Sequence, residues 1–323
     1  MKNITLIALA CLGVAVVDAP RFAPEDKSSV EKTFRSEVQF AATEFTMSMD
    51  GQELPAGDVV LKFEEVTKLV FTDRYVKSKD GRPIELDRTY DELAQTKKDT
   101  QKMPGQGQEV VEEKTLESAL ETKTVRFSWD PKTESYDTKF AGEDGDAALL
   151  VDLAEDTDYR ALLPKVGAKV GDTWKLEGKD FRHLLDVGGN LHFVPSGKDE
   201  AEEKDDFSKQ IDENLSGDAV VEFTEIREKD GLRLAVIEFK AQFKSHAEME
   251  KETMHADVVL EPEGELLWDL TANRMHSLEF DGKVSIGIKG DSKIGEGSET
   301  VRMLHIEIQM EGTLSLDAKS KAL

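Results

Sequence analysis

The six histidines are the residues of this chain best suited to metal or acid–base chemistry, and their spacing matches no metal-binding motif. None stands in a His-Glu-x-x-His arrangement. His246 and His255 share an acidic stretch with Glu248, Glu250 and Glu252, which would suit a weak site for a divalent cation. Histidines on the polar faces of strands are the commoner arrangement, so we predict no metal ligands and no cofactor.

Nucleophilic and phosphate-binding motifs give no stronger signal. No Gly-x-Ser-x-Gly or Ser-x-x-Lys motif stands in a strand–turn–helix context. Gly295-Glu296-Gly297 lacks the third glycine and the lysine of a phosphate loop, and an acidic hairpin tip fits it better. The segment 143–146 fails the calcium-loop template, because Ala148 stands where a ligand is needed. Because no nucleophile, base and orienting group can be named together, we predict a protein without catalytic residues that is not an enzyme.

Residues 1–23 have the layout of a secretory signal peptide with a short polar lead-in. Lys2 precedes an apolar run over residues 4–17 that is too short for a comfortable membrane span. Cleavage could follow Ala19 or Ala15, and a lipidated Cys11 is the less favoured alternative. We therefore expect a bacterial protein exported to the periplasm or beyond, with no transmembrane span in the mature chain. Loss of Cys11 would leave no cysteine and no disulfide.

The formal net charge of −25 restricts the possible partners. It argues against nucleic acid and against electrostatic docking to an anionic membrane, since both would repel an acidic surface. It is compatible with a cation or a basic protein partner, although a diffuse solvated surface explains it equally simply.

Alternation of apolar and polar residues is the main structural signal. It predicts a strand over residues 34–42, two further strands within 59–75, and a hairpin over 125–140. The clearest alternation lies in the last third of the chain, over residues 237–243, 266–270, 275–288 and 304–316. Residues 88–108 are polar and end in a probable exposed loop at Met103-Pro104-Gly105. Successive alternating strands favour an antiparallel meander with one face buried.

Helical spacing occurs in only a few places. The positions of Ala147, Leu150, Val151 and Ala154 predict an amphipathic helix that packs on a sheet. A helical turn is expected near 158–163, and a second short helix over 179–187 that ends at Gly188-Gly189.

These patterns predict a mainly β (α+β) fold, a strongly curved antiparallel sheet or half-barrel covered by a few short helices. We expect an N-terminal β-rich lobe over residues 28–198, a charged linker over 199–206 and a C-terminal meander over 207–317. The meander could be separate from the first lobe or continuous with it in one sheet. The hairpins that follow Trp129-Asp130 and Trp268-Asp269 resemble each other. They could reflect two duplicated lobes, but chance hairpins are the commoner explanation.

The most specific motif is Val170-Gly171-Asp172-Thr173-Trp174, a tight turn that leads into a strand. Here the chain resembles a group of uncharacterised secreted bacterial proteins with a Val-Gly-Asp-x-Trp element between two β-rich halves, and Gly264 to Asp269 looks like their matching hairpin. These are similar in pattern to LolA-type lipoprotein carriers. The resemblance implies a half-barrel sheet covered by helices and transfers no catalytic residue.

We therefore expect a non-enzymatic envelope protein that binds a hydrophobic or amphiphilic ligand, such as a lipid, or a protein partner on a curved sheet. The alternative is an acidic structural or interaction module that binds cations or a basic partner. Each candidate lining residue could equally belong to the core; the six are Phe127, Trp129, Leu150, Trp174, Phe239 and Trp268.

Overall fold

A single antiparallel sheet organises the molecule. The computed structural model describes residues 19–55, 57–103, 107–142, 145–164, 167–197, 210, 213–249, 253–294 and 302–323. Within these residues, fourteen strands join one sheet. Its strands are β1 (Ser28–Met49), β2 (Gln52–Glu53), β3 (Val60–Lys79), β4 (Arg82–Lys102), β5 (Val110–Ser118), β6 (Thr124–Asp130), β7 (Ser135–Phe140), β8 (Thr173–Glu177), β9 (Phe193–Pro195), β10 (Ser216–Lys229), β11 (Leu232–Met249), β12 (Thr253–Asp269), β13 (Arg274–Ile294) and β14 (Arg302–Ala322).

The strand order places the first and last strands side by side in the middle of the sheet. The order is β7-β6-β4-β3-β1-β14-β13-β12-β11-β10-β8, with β2 on β1, and with β5 pairing both β4 and β9. The register of β1 against β14 runs from Val30↔Ala322 to Met49↔Leu304. The strands of both predicted lobes therefore lie in one sheet. The predicted mainly β, antiparallel architecture is confirmed.

One face of the sheet, the inner face, carries the core. Its side chains alternate with polar outer-face residues, as the period of a half-buried strand requires. Between β7 and β10, the described residues of 141–197 other than β8 and β9 pack over this inner face, with two short 3-10 turns (Ala147–Leu150 and Arg160–Leu162) and helix α1 (Gly178–Leu185). We call residues 141–197 the crossover segment. Its Phe181 packs on Phe239 and Phe243 of β11, while Tyr159 packs on Phe34 of β1.

The strands are longer than the sequence predicts. The two strands expected within 59–75 form one strand, β3, because residues 64–68 continue its ladder with both β1 and β4. Residues 88–102, a polar stretch for which the sequence predicts no strand, belong to β4, and residues 104–106 of the predicted loop lie outside the described residues. Flanking strands β3 and β5 supply the hydrogen-bonding partners of this polar stretch. Pairing with neighbouring strands likewise places residues 275–288 within the single strand β13 and residues 304–316 within the single strand β14.

The predicted helices have mixed outcomes. The helix expected over 147–154 is wrong: only a single 3-10 turn forms, and Val151 is extended and exposed. Its backbone is redirected at Asp152, which has a positive φ, and Leu153 forms a bridge to Gly189. The second helix is confirmed as α1, and the turn near 158–163 is confirmed as the second 3-10 turn.

The segment that precedes β1 packs on the fold. Phe22 is buried against Tyr75 and Trp268, and the Trp268 indole donates to the carbonyl of Arg21 at 3.1 Å. Residues 1–18, which include Cys11 and most of the predicted signal peptide, lie outside the described residues. The predicted linker over 199–206 lies outside them as well. In the part of the chain that is described, no helix has the length and apolar character needed to cross a bilayer.

Candidate ligand-binding cavity

A cavity of about 580 Å³ lies between the inner face of the sheet and the crossover segment. Its floor is formed by β1, β3, β4, β13 and β14, and its cover by residues 185–193, with Leu116 of β5 at the side. This volume falls within the range of about 300–1,000 Å³ that is usual for small-molecule sites.

The two sides of the cavity floor differ in chemistry. Toward β13 and β14, the lining side chains are Phe280, Leu314 and Leu316. Toward β3 and β4, four of the five lining residues are polar, and the fifth is Leu69. Gln95 donates to Glu65 Oε1 at 2.9 Å and to Thr67 Oγ1 at 3.1 Å. The cavity can therefore offer apolar contact along one side and hydrogen bonding along the other.

The register of the strands produces this polarity. Ser36 on β1, Thr67 on β3 and Gln95 on β4 are aligned across the sheet, and the next inner row contains Glu65 and Lys97. Lys97 Nζ lies 3.8 Å from Glu65 Oε2, and both side chains are partly buried. Two adjacent polar rows thus interrupt an inner face that is apolar on β13 and β14.

The residues that cover the cavity come directly after α1 in the sequence. Phe181 anchors that helix in an aromatic cluster with Phe239, Phe243 and Phe280. Gly188 and Gly189 then take positive φ angles and turn the chain over the cavity. A Cβ on Gly189 would lie 2.2 Å from the Asp152 carbonyl oxygen, so the close approach of the two chain segments requires glycine here.

A buried ionic cluster on the same face lies under the crossover segment. Lys32 of β1, Asp73 of β3 and Arg88 of β4 occupy inner positions, and all three side chains are 0% exposed. Lys32 Nζ donates to Asp73 Oδ2 at 2.8 Å. Arg88 makes a two-pronged contact, Nε to Oδ1 at 2.7 Å and Nη2 to Oδ2 at 3.0 Å. Asp73 thus pairs with both cations, and a second carboxylate, Asp158, also pairs with Lys32, so each buried charge has a counter-charge.

The crossover segment completes this cluster. Lys32 Nζ also donates to Asp158 Oδ2 at 2.8 Å and to Thr157 Oγ1 at 3.0 Å. Arg88 donates to the carbonyls of Ala154 and Glu155 at 2.8 and 2.7 Å. Every group that Lys32 and Arg88 contact in this segment lies within residues 154–158. The cluster therefore fastens that part of the segment to the sheet.

Local electrostatics support the charged state of the cluster. Burial by itself would raise the pKa of the Asp73 carboxyl, but the charges and hydrogen bonds of Arg88 and Lys32 outweigh it and lower that pKa. Burial raises the pKa of Tyr75, and the carboxylate of Asp158, which accepts its hydroxyl at 2.7 Å, adds to the effect. Asp73 is therefore ionised, and Tyr75 is a neutral hydrogen-bond donor at ordinary pH. With no exposed reactive group, the arrangement stabilises the fold rather than presenting chemistry to a substrate.

Beyond the cavity, the inner face stays apolar but is only partly covered. Phe40 and Phe63 stack with ring centroids 4.8 Å apart. Ile286 of β13, and Ile308 and Met310 of β14, continue this surface and are partly exposed. The apolar floor of the cavity is therefore continuous with a longer apolar strip along β1, β13 and β14.

The six residues expected to line a ligand site are dispersed, and the cavity is lined by others. Phe127, Phe239 and Trp268 are fully or almost fully buried in the core. Trp129 lies in β6 near the edge of the sheet, where it packs against Tyr136 and the Arg82 guanidinium. Leu150 and Trp174 are partly buried and pack against the rim of the core.

The histidines form pairs rather than a ligand set. His246 Nδ1 lies 2.9 Å from Asp257 Oδ1, and the rings of His246 and His255 are 5.6 Å apart. His305 contacts Asp291 at 2.9 Å, which raises its pKa. Over the described ranges, no three His, Cys, Asp or Glu side chains are placed so that they could hold a metal ion.

The sequence contains a signal for the ionic cluster, namely charged residues at inward positions of strands, which an analysis of apolar periodicity does not consider. Lys32 stands between Val30 and Phe34 at a position where β1 points inward, and Asp73 stands between Phe71 and Tyr75 in the same way on β3. Charged residues at inward positions of two strands indicate a buried ion pair once the strands are known to be neighbours. The polar row of Ser36, Thr67 and Gln95 required the register, which the sequence does not contain.

Comparison of the chain with protein-family models gives no match, and no curated protein matches it.

Proposed function

We propose that this protein is a non-catalytic binding protein whose cavity between the inner face and the crossover segment holds an amphiphilic ligand. The observation that carries the proposal is the two-sided cavity, with Phe280, Leu314 and Leu316 on one side and Gln95 and Lys97 on the other. An elongated ligand would place its apolar part on β13 and β14 and its polar group against β3 and β4. A lipid fits this description.

Continuity of the apolar surface supports the proposal. The strip that contains Phe40, Ile308 and Met310 extends the floor away from the crossover segment, so a chain longer than the cavity could continue along it. Burial of apolar area contributes about 25 cal/mol per Å², which rewards such an extended contact.

Fixation of the cover also supports a binding role. Asp73, Lys32 and Arg88 hold residues 154–158 of the crossover segment. Phe181 holds α1 at one end of the cover, and the pairing of β9 with β5 holds the other end. A cavity that is fixed before the ligand arrives avoids part of the ordering cost of binding. We further infer a half-barrel curvature for the sheet, similar in layout to the LolA-type carriers, with export from the cell as its natural context.

A blocking substitution tests the proposal. The protein is purified, its lipids are extracted and analysed by mass spectrometry, and binding of an apolar fluorescent dye is measured. Ser36→Phe places a ring in the cavity and should weaken dye binding by about tenfold or more, equivalent to about 1.4 kcal/mol. Ser285→Phe adds the same ring at an exposed outer-face position of β13 and should leave binding unchanged.

A second variant guards against misfolding of the first. Leu314→Ser leaves the space open and removes apolar contact, so it should also weaken dye binding. The circular dichroism spectrum of each variant must match that of the original protein. Absence of co-purifying lipid together with equal dye binding by the Ser36 and Ser285 variants would contradict the proposal.

A further inference from the structure

A second cavity, of about 660 Å³, lies on the outer face of the same sheet, behind the ionic cluster. Its floor is formed by β3, β4, β6 and β7 near their shared end, and Ser29 of β1 and residues 140–142 form its edges. The charged side chains that line it are three cations, Arg74, Arg126 and Lys139, and one carboxylate, Asp87. In a chain with a net charge of −25, a cavity with an excess of positive charge is unusual.

Strand register arranges these four residues in one row. Arg74 is the partner of Asp87, Asp87 of Arg126, and Arg126 of Lys139. Neighbouring strands are about 4.8 Å apart, so the row extends over roughly 14 Å. The row next to it carries the hydroxyls of Thr72, Thr89 and Thr124.

The carboxylate in the row is already fully engaged. Arg126 donates to it through Nε at 2.6 Å and through Nη2 at 2.9 Å, and Arg74 contacts Oδ2. Arg126 also lies 2.7 Å from Glu85. Burial would raise the pKa of Asp87, but the hydrogen bonds from Arg126 and Arg74 lower it, so the group stays ionised. Asp87 therefore pairs with the two arginines and not with Lys139.

Lys139 is the one cation of the three in this row that pairs with no carboxylate of the network. It lies directly opposite Arg126 on the same face, whereas Arg126 already pairs with Asp87 and Glu85. No carboxylate among the described residues is within ion-pair distance of it.

The hydroxyl groups of the threonine row complete the polar lining of the outer-face cavity. Thr89 Oγ1 and Thr124 Oγ1 are 2.8 Å apart, so one hydroxyl can donate to the other while the second proton points elsewhere. Phe140 lies at the edge of the cavity, but it pairs with Val125, so its side chain belongs to the inner face. Lysine and arginine beside a hydroxyl are the groups that bind phosphate and carboxylate oxygens.

We propose that this outer-face cavity binds an oxyanion, a phosphate or carboxylate group, held between Lys139 and Arg126 with the Thr124 hydroxyl as a further donor. The bound anion would supply the counter-charge that Lys139 lacks. The site is separate from the proposed ligand cavity, because the two lie on opposite faces of the sheet. Either site can exist without the other.

Titration calorimetry with inorganic phosphate, and separately with succinate, tests the proposal at constant ionic strength set by chloride. We expect one of the two anions to bind with a dissociation constant of about 1 mM or below. Lys139→Gln should weaken that binding by about fivefold or more, the loss of roughly one charged contact. Lys132→Gln, in the exposed turn of the same hairpin, is the matched control and should bind as the original protein does.

A second pair of variants tests the other end of the row. Arg74→Gln should weaken binding less than Lys139→Gln, because its guanidinium lies beyond Asp87. Arg35→Gln is its control, since the Arg35 and Arg74 side chains are 54% and 55% exposed and each pairs with a carboxylate. Failure of both anions to bind, or equal affinity in the Lys139 and Lys132 variants, would overturn the proposal. The ratio between phosphate and succinate affinities identifies the oxyanion class.

Discussion

Asp73 pairs with both buried cations of the ionic cluster, Lys32 and Arg88. Replacing Asp73 therefore tests whether the cluster holds the crossover segment on the sheet. Asp73→Asn keeps the size of the side chain and removes its charge. Lys32 would then depend on Asp158, and Arg88 on the carbonyls of residues 154 and 155. Breaking a buried pair on one side costs about 3–5 kcal/mol, because the remaining charge is uncompensated. Against a typical total of about 5–15 kcal/mol, this is a large loss.

Urea unfolding at pH 7, followed by circular dichroism, measures this cost. The double variant Asp73→Leu with Arg88→Met should be less destabilised than the sum of its two single variants, since it removes both members of a pair. Lys68→Met provides the control on the same two strands: its pair with Glu92 is exposed and should contribute less than about 1 kcal/mol. Loss of about 1 kcal/mol or less in Asp73→Asn, or full additivity in the double variant, would refute the role given to the cluster.

Three further predictions concern other parts of the fold. The pKa of the Asp73 carboxyl is lower in the folded protein than its ordinary value of about 4. The ionised carboxylate therefore stabilises the fold fully above about pH 4, and this stabilisation should be lost as the pH falls further. Asp73→Asn should accordingly show a weaker dependence of stability on acid in urea unfolding. The pKa of His305 is raised by Asp291, so His305→Gln should lower the melting temperature at pH 5.5 and have almost no effect at pH 9, where both states are neutral; an equal effect at both values would contradict this. Phe22→Ala should cost about 3–5 kcal/mol by urea unfolding, as for other buried aromatic residues, whereas exposed Val110→Ala should change stability little.

The sequence predicts the architecture well where one face of each strand is apolar and the other polar. That condition holds for β11 to β14, and their alternation is directly visible. It fails for β4, whose second half contains Gln95, Lys97 and Asp99 at inward positions. These residues form a strand because β3 and β5 flank them, and a pattern within the segment cannot reveal its neighbours.

The candidate sites depend on the same missing information. Ser36 and Thr67 are 31 positions apart in the sequence and become neighbours only through the register of β1 and β3. Large aromatic residues were the natural candidates for a ligand site, yet Phe127 and Trp268 are needed in the core. The helix expected from Ala147 to Ala154 is the opposite case, because the spacing was correct but contacts at Leu153 and Gly189 impose an extended chain. Tertiary contacts outweigh a helix this short.

The pairing of β1 with β14 has a consequence for how the molecule is made. The first strand finds its neighbour only after the last one has been synthesised, with about 270 residues between them. Until then, β1 and β13 present long unpaired edges, which are templates for association with other chains. Folding should therefore be slow and finish only after β14 has been synthesised, and a nascent or shortened chain that lacks β14 should depend on a chaperone to remain unaggregated.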